Sequence, residues 1–311
     1  MNNKFVIAVV FVLAILCSGS AVAQDAGLKA KFDSLFILAS SGEVYFRDSV
    51  EPAKDSIAAL GEDVVPLLID KFTTKSARER WSVIHILKRI GSPAVPYLVR
   101  ALNRPDGLVV QRVCWALGDI KDSTAVTALK EVSGHKRWQV RDQAIGALGK
   151  IGHTDGAPSV LAGLTDTIGQ VRKAAAVSCG KLAIEESTEQ LVHLLGDDFY
   201  GARMSAMHSL LNLDTAQVVA VLADSMQSAN DFVGDLACQI LGKFGNETAM
   251  DLLFQEATSE SPDRRAHAAV ALIVGDPENQ CGYHDLLFER ETDPVVLLKM
   301  KSAVQANEDG Q

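Results

Sequence analysis

Seven histidines, His85, His135, His153, His193, His208, His267 and His284, are the side chains best suited to hold a metal or move a proton. None is followed by Glu, and none has a second His four residues on, so no helix face presents a ligand pair and no metal centre is expected. His284-Asp285 comes nearest and reads as a solvated pair. Cys114, Cys179, Cys238 and Cys281 lie 65, 59 and 43 residues apart, which is no metal spacing. Three of them fall on apolar positions of the repeat described below, where buried thiols are expected rather than a disulfide. A Gly-rich phosphate loop and a G-x-S-x-G elbow are both missing from the sequence. Catalysis and cofactors are therefore not expected.

Binding is better represented. Trp81, Trp115 and Trp138 crowd into one part of the chain, with His85 four residues after the first. Tryptophan dominates interaction hot spots and is costly to leave in water, so Trp81, His85, Trp115 and Trp138 are the candidate partner-binding residues. The alternative is that these rings cover gaps between helices. His135-Lys136-Arg137 is a basic cluster beside Trp138 and reads as a solvated helix start. Phe199-Tyr200 is a weaker candidate, for which packing is expected. With 39 acidic against 30 basic residues, the chain lacks the positive field that a nucleic-acid partner requires.

These residues sit on a repeat. The same apolar position returns at Leu60, Ile90, Ile120, Ile151, Leu182, Leu213, Phe244 and Val274, in steps of 30 or 31. The stretch from Val140 to Gly152 reads V-R-x-x-A-x-x-A-L-G-x-I-G, and its apolar intervals of three and four make one face of a helix. A shorter apolar helix precedes each copy, as at Val64–Phe72, Ala94–Leu102 and Ala125–Val132. Pro66, Pro93 and Pro158 fall near helix starts, and Gly61, Gly91, Gly152 and Gly245 fall where the longer helix must stop. Thr74, Asp166, Asp197 and Ser228, six residues before the slot that usually holds Arg, are expected to cap the longer helix.

One helix pair buries too little alone, so stacking is obligatory. Ala144, Ala175, Ala206, Ala237 and Ala268 are the small residues that let successive helices approach. Positions one and five after the Arg slot, among them Trp81, His85, Trp115, Lys173, His208 and Asp235, are expected to face outward. The fold class expected is all-α: a right-handed α-solenoid, an armadillo-like superhelix of about eight to nine helix pairs. It would form one domain over residues 24–311.

The V-R-x-x-A-x-x-A-L-G-x-I-G pattern, with Asp166 six before Arg172 and Asp197 six before Arg203, resembles the HEAT-like repeats of phycobilin lyases. The resemblance implies that Asp166, Arg172, Asp197 and Arg203 take part in an Asp/Arg ladder between adjacent units. The related deoxyhypusine hydroxylases bind iron through His-Glu pairs, which this sequence does not have.

Residues 1–23 carry Lys4, an apolar run from Phe5 to Leu16 and the small residues Ala21 and Ala23, the pattern of a secretory signal peptide. Loss of Lys4 with this leader would take the net charge from −9 to −10. The expectation is a periplasmic or secreted monomer without stable membrane insertion, serving as a non-catalytic scaffold for a protein or peptide partner. An enzyme or ligand carrier with a pocket in the concavity, and a structural spacer in the envelope, are the other classes.

Overall fold

The computed structural model describes residues 26–226 and 231–309, and the leader 1–23 and Ser228 lie outside them. Among the described residues every regular element is a helix. The first two are α1 (26–39) and α2 (Arg47–Ala58). Helices α3 (Val65–Lys71), α5 (Val95–Ala101), α7 (Val126–Val132), α9 (Ala157–Gly163), α11 (Thr188–Leu194), α13 (Thr215–Ser225), α15 (Glu247–Glu256) and α17 (Tyr283–Arg290) form a short series, 7 to 11 residues each, that alternates with a longer one of 11 to 16. The longer series is α4 (Ala77–Ile90), α6 (Gly107–Ile120), α8 (Trp138–Ile151), α10 (Gly169–Leu182), α12 (Tyr200–Leu210), α14 (Asp231–Phe244), α16 (Pro262–Gly275) and α18 (Pro294–Asp309). Two compact units result, the first ending at Val132 and the second beginning at Ser133. In each, helix pairs pack against neighbouring pairs, α2 on α4 and α4 on α6 in the first, α8 on α10 and α10 on α12 in the second. This is the α-solenoid arrangement.

Local chemistry sets the element boundaries. Pro66 and Pro158 occupy the first turns of α3 and α9, where no N–H is needed. Gly91 and Gly152 end α4 and α8 at positive φ of 73° and 80°. Lys121 and Ala183 hold the equivalent left-handed position after α6 and α10 at φ 63° and 49°, a conformation that costs a residue bearing a Cβ.

The recurring residue that reveals the period is not the deepest. Ile90, Ile120, Ile151 and Leu182 end their helices half-buried, and Val274 is 55% exposed. The core lies three residues earlier in most units. Leu87 and Leu117 of the first unit, and Leu148, Cys179, Leu210, Leu241 and Leu272 of the second, are at most 1% exposed. The short helices bury a residue as deeply: Leu68, Leu98 and Leu129, then Val160, Leu191, Leu222 and Leu253, are all 0% exposed. Burial of one such side chain contributes about 1.5–3 kcal/mol, which accounts for the slot holding Leu or Cys in every one of these copies.

Small residues bring successive long helices together. Ala144, Ala175, Ala206, Ala237 and Ala268 are fully buried. Ser178 Oγ donates to the Ile145 carbonyl at 3.1 Å and Ser209 Oγ to the Ala176 carbonyl at 2.8 Å, each reaching across to the previous long helix. A Cβ on Gly149 would lie 2.3 Å from Ser178 Oγ, and one on Gly180 2.6 Å from Ser209 Oγ. Glycine is required at both positions by the approach itself.

One expectation about helix starts is corrected. Asp166 and Asp197 are not the N-caps of α10 and α12, where Ile168 and Phe199 stand. Their carboxylates accept instead from the N–H of those cap residues, at 2.9 and 2.8 Å, and thereby fix the turn that leads into the helix. Thr74 behaves alike, its Oγ1 accepting from Ser76 N–H at 3.1 Å while Ser76 caps α4. The carboxylates stand two residues too early to reach the second or third helical N–H, and that early position leaves them facing an arginine.

Candidate interaction site

Within the first unit, α4 and α6 bring three of the four nominated residues together. Trp81 stacks edge-on against Trp115, ring centroids 4.8 Å apart at 85°, and also meets His85 at 5.6 Å. The spacing explains it. Trp81 and His85 are four apart on α4 and share a face, and Trp115 occupies on α6 the slot that His85 holds on α4. Trp115 is half-buried and donates its indole N–H to Asp119 Oδ2 at 3.0 Å, which locks its ring. Trp81 remains 51% exposed. The result is a fixed aromatic floor with the Trp81 ring half open to water, an arrangement that costs little entropy when a partner covers it.

Charged groups border the rings. Glu51 accepts from Lys54 at 2.7 Å and from Arg89, and those two hydrogen bonds hold its carboxyl down at about 2. Burial, then the positive charge of Lys54, keeps the His85 imidazole below its ordinary range, with Glu51 pulling the other way. His85 is therefore neutral at pH 7 and offers both a donor and an acceptor beside the Trp81 ring.

Trp138, the fourth nominated residue, belongs to the second unit, where it is half-buried at the first position of α8. The basic turn before it has a structural use, because Arg141 Nη1 donates to the His135 carbonyl at 3.0 Å. In the same unit Phe199 packs against Gly169 and Gly201, whereas Tyr200 stands 65% exposed. Arg203 lies over Tyr200 at 5.5 Å and over Phe232 at 4.3 Å. Phe232, 54% exposed, was not legible as a surface residue, since it precedes an apolar slot.

The Asp/Arg residues form a ladder whose rungs connect each turn to the preceding long helix. Arg141 grips Asp166 through Nε and Nη2 at 2.7 and 2.8 Å, and Arg172 grips Asp197 in the same way at 2.6 and 2.7 Å. Arg172 Nη1 also donates to the Asp166 carbonyl at 2.8 Å, and Arg203 Nη1 to the Asp197 carbonyl at 2.6 Å. Two members escaped the sequence reading. Arg141 has no Asp six residues before it, and Arg265 takes Glu291 in place of Asp, at 2.8 and 3.2 Å. Burial raises the Asp166 and Asp197 carboxyls, and the paired arginines and turn N–H groups more than reverse this, so both lie below the ordinary range. For Glu291 the hydrogen bond from Arg265 is the leading cause of the same downward displacement.

Nucleophiles are muted. Cys114, Cys179 and Cys238 are buried free thiols whose pKa is pushed by burial to about 12, 11 and 12. Cys281 is free and exposed. Among the described residues no group of His, Cys, Asp and Glu is placed to hold a metal ion, and no helix is long and apolar enough to cross a membrane.

Helix pairs of this length, joined by arginine rungs and stacked through small residues, define the class of helical-repeat proteins. The HEAT repeats family matches residues 65–141, 96–179, 129–210, 157–235 and 188–273, and the chain belongs to that family. No curated protein matches the chain. The solved structure of the YibA protein of E. coli is similar over 82% of this chain and 96% of its own, at 18% identity and a TM-score of 0.50. The CpcE and CpcF complex of phycocyanin lyase from Nostoc is similar over 77% of this chain and 94% of that one, at 17% identity and a TM-score of 0.41. Human deoxyhypusine hydroxylase is similar over 83% and 99%, at 18% identity and a TM-score of 0.36. At these identities the likeness concerns the fold alone.

Proposed function

We propose that this HEAT-repeat chain is a non-catalytic scaffold that binds a protein or peptide through the face lined by its longer helices. The observation that carries the reading is the half-exposed Trp81 ring, set edge-on against a Trp115 ring that Asp119 holds in place. A preorganised aromatic surface beside a neutral His85 recognises amide and apolar groups, whereas chemistry on a small substrate calls for a closed, water-excluding pocket. The export pattern in residues 1–23 supports a place in the periplasm or at the cell exterior, and the net charge of −9 argues against a nucleic-acid partner. A single chain without stable membrane insertion is the working unit of this reading.

Affinity capture from periplasmic extract tests it, with the chain lacking residues 1–23 as bait beside a Trp81→Ala/Trp115→Ala variant. The reading expects a defined protein retained by the first bait and lost with the second, both having the same helical content. Equal retention by both baits would overturn it.

A further inference from the structure

A groove in the second unit supplies a different observation. Between α14 and α16 runs a groove of about 520 Å³. Its floor exists because side chains are missing. A Cβ on Gly242 would sit 2.6 Å from the Ala271 carbonyl oxygen, and one on Gly275 2.4 Å from the Gly242 oxygen, so the two helices touch backbone to backbone. Above that contact Val270 and Val274 form an apolar wall, and Val274 is 55% exposed.

The polar groups are few and are distributed along the groove. His267 Nδ1 meets Asp235 Oδ1 at 2.6 Å and closes one end. Gln239 stands midway on α14, and Lys243 marks the other end. Lys243 makes no ion pair among the described residues. Eight residues of helix separate Asp235 from Lys243, about 12 Å at 1.5 Å per residue. An extended chain rises about 3.3 Å per residue, so this length accommodates about four residues.

We infer that the groove seats the C-terminal end of a partner polypeptide: its last, apolar side chains on Val270, Ala271 and Val274, and its terminal carboxylate on Lys243. Charge complementarity selects the carboxylate, because Asp235 is engaged by His267 at one end of the groove and Lys243 is the cation at the other. Gln239 selects a peptide over an acyl chain. Its amide offers an NH2 donor group and a carbonyl acceptor, which a peptide group satisfies and a methylene chain would leave unpaired. The inference deepens the peptide-binding reading given above by naming the partner's chemistry, and it rests on that reading only in taking the occupant to be a polypeptide.

Fluorescence polarisation with an N-terminally labelled Leu-Val-Ala-Leu tetrapeptide, as free acid and as C-terminal amide, tests it on the full chain. The free acid is expected to bind about tenfold or more tightly than the amide, as loss of a charge-assisted contact requires. Lys243→Met should reduce the free acid to the level of the amide and leave the amide unchanged. Ala271→Leu should fill the floor and abolish both, with Val270→Asp as the second variant if Ala271→Leu fails to fold. Trp81→Ala should have no effect here, so failure of this seat and failure of the Trp81 reading are distinguishable. No binding up to millimolar protein, the same preference for the free acid in Lys243→Met, or tighter binding of dodecanoate that improves in Gln239→Leu would each overturn the inference.

Discussion

Arg172 holds both carboxylate oxygens of Asp197, twenty-five residues further along, at 2.6 and 2.7 Å, while its remaining nitrogen reaches the Asp166 carbonyl. One guanidinium thus fastens α10 to its own entry turn and to the turn that starts the next long helix. The pair is sheltered, with side-chain exposures of 15% and 6%. Asp197→Ala leaves Arg172 only the exposed Asp198 as a carboxylate partner and is expected to cost about 2–3 kcal/mol, as for hydrogen bonds to charged groups. Arg172→Lys should cost nearly as much, because an ammonium cannot make the two parallel bonds. Urea unfolding of both variants against the parent chain checks this. A loss under 0.5 kcal/mol would place the pair among ordinary surface contacts.

Acid should release the same rungs. The Asp166 and Asp197 carboxyls lie below their usual 3.8, so their contribution is complete above that value and disappears as pH falls through the lower folded values. Thermal unfolding between pH 5 and pH 2 should show the steep loss, and Asp197→Ala should flatten it.

His284 acts in a higher window. It is 8% exposed, its Nε2 has no hydrogen-bond partner, and burial holds its pKa below 6.5 despite Asp276 and Asp285. The unfolded imidazole takes up a proton near 6.5 and the folded one only at lower pH. Stability is therefore complete above 6.5 and declines as pH drops below it. His284→Leu should abolish this slope. Denaturant titrations at pH 7.5 and pH 5.5 give the comparison, and an unchanged difference between them would contradict the assignment.

Ala183 supplies a prediction of opposite sign. It holds φ 49° where Gly152 ends the preceding long helix at φ 80°. Ala183→Gly should raise stability by about 0.5–1 kcal/mol, relief of the left-handed strain exceeding the added freedom of the unfolded chain. Ala175→Trp, at a fully buried approach point, should lower it by about 1–3 kcal/mol or more. Melting curves of the two variants should shift in opposite directions.

The helix pairs could be read from the sequence because their signal is local and repeated: apolar residues at helical intervals, Pro at starts, Gly at stops. The deep leucines, from Leu87 to Leu272, follow from the same pattern. The rungs were only half legible. Asp166 and Arg172 stand close in sequence, but the carboxylate of Asp166 belongs to Arg141, and Glu291 hides the last rung by a change of residue type. The α14–α16 groove left no positive mark, since it is made by what Gly242, Ala271 and Gly275 lack. Trp81 and Trp115 could be named from their types, whereas their edge-on contact depends on how α4 and α6 pack.

In the proposed scaffold, Trp81 is the ring that a partner covers. Hydroxyl-radical footprinting of the chain, with and without the protein retained from extract, measures this directly, with the exposed Tyr45 as internal control. Oxidation of Trp81 should fall by about tenfold or more in the complex while that of Tyr45 is unchanged, as expected for a central anchor shielded from water. Undiminished oxidation of Trp81 in a complex that protects other residues would contradict it.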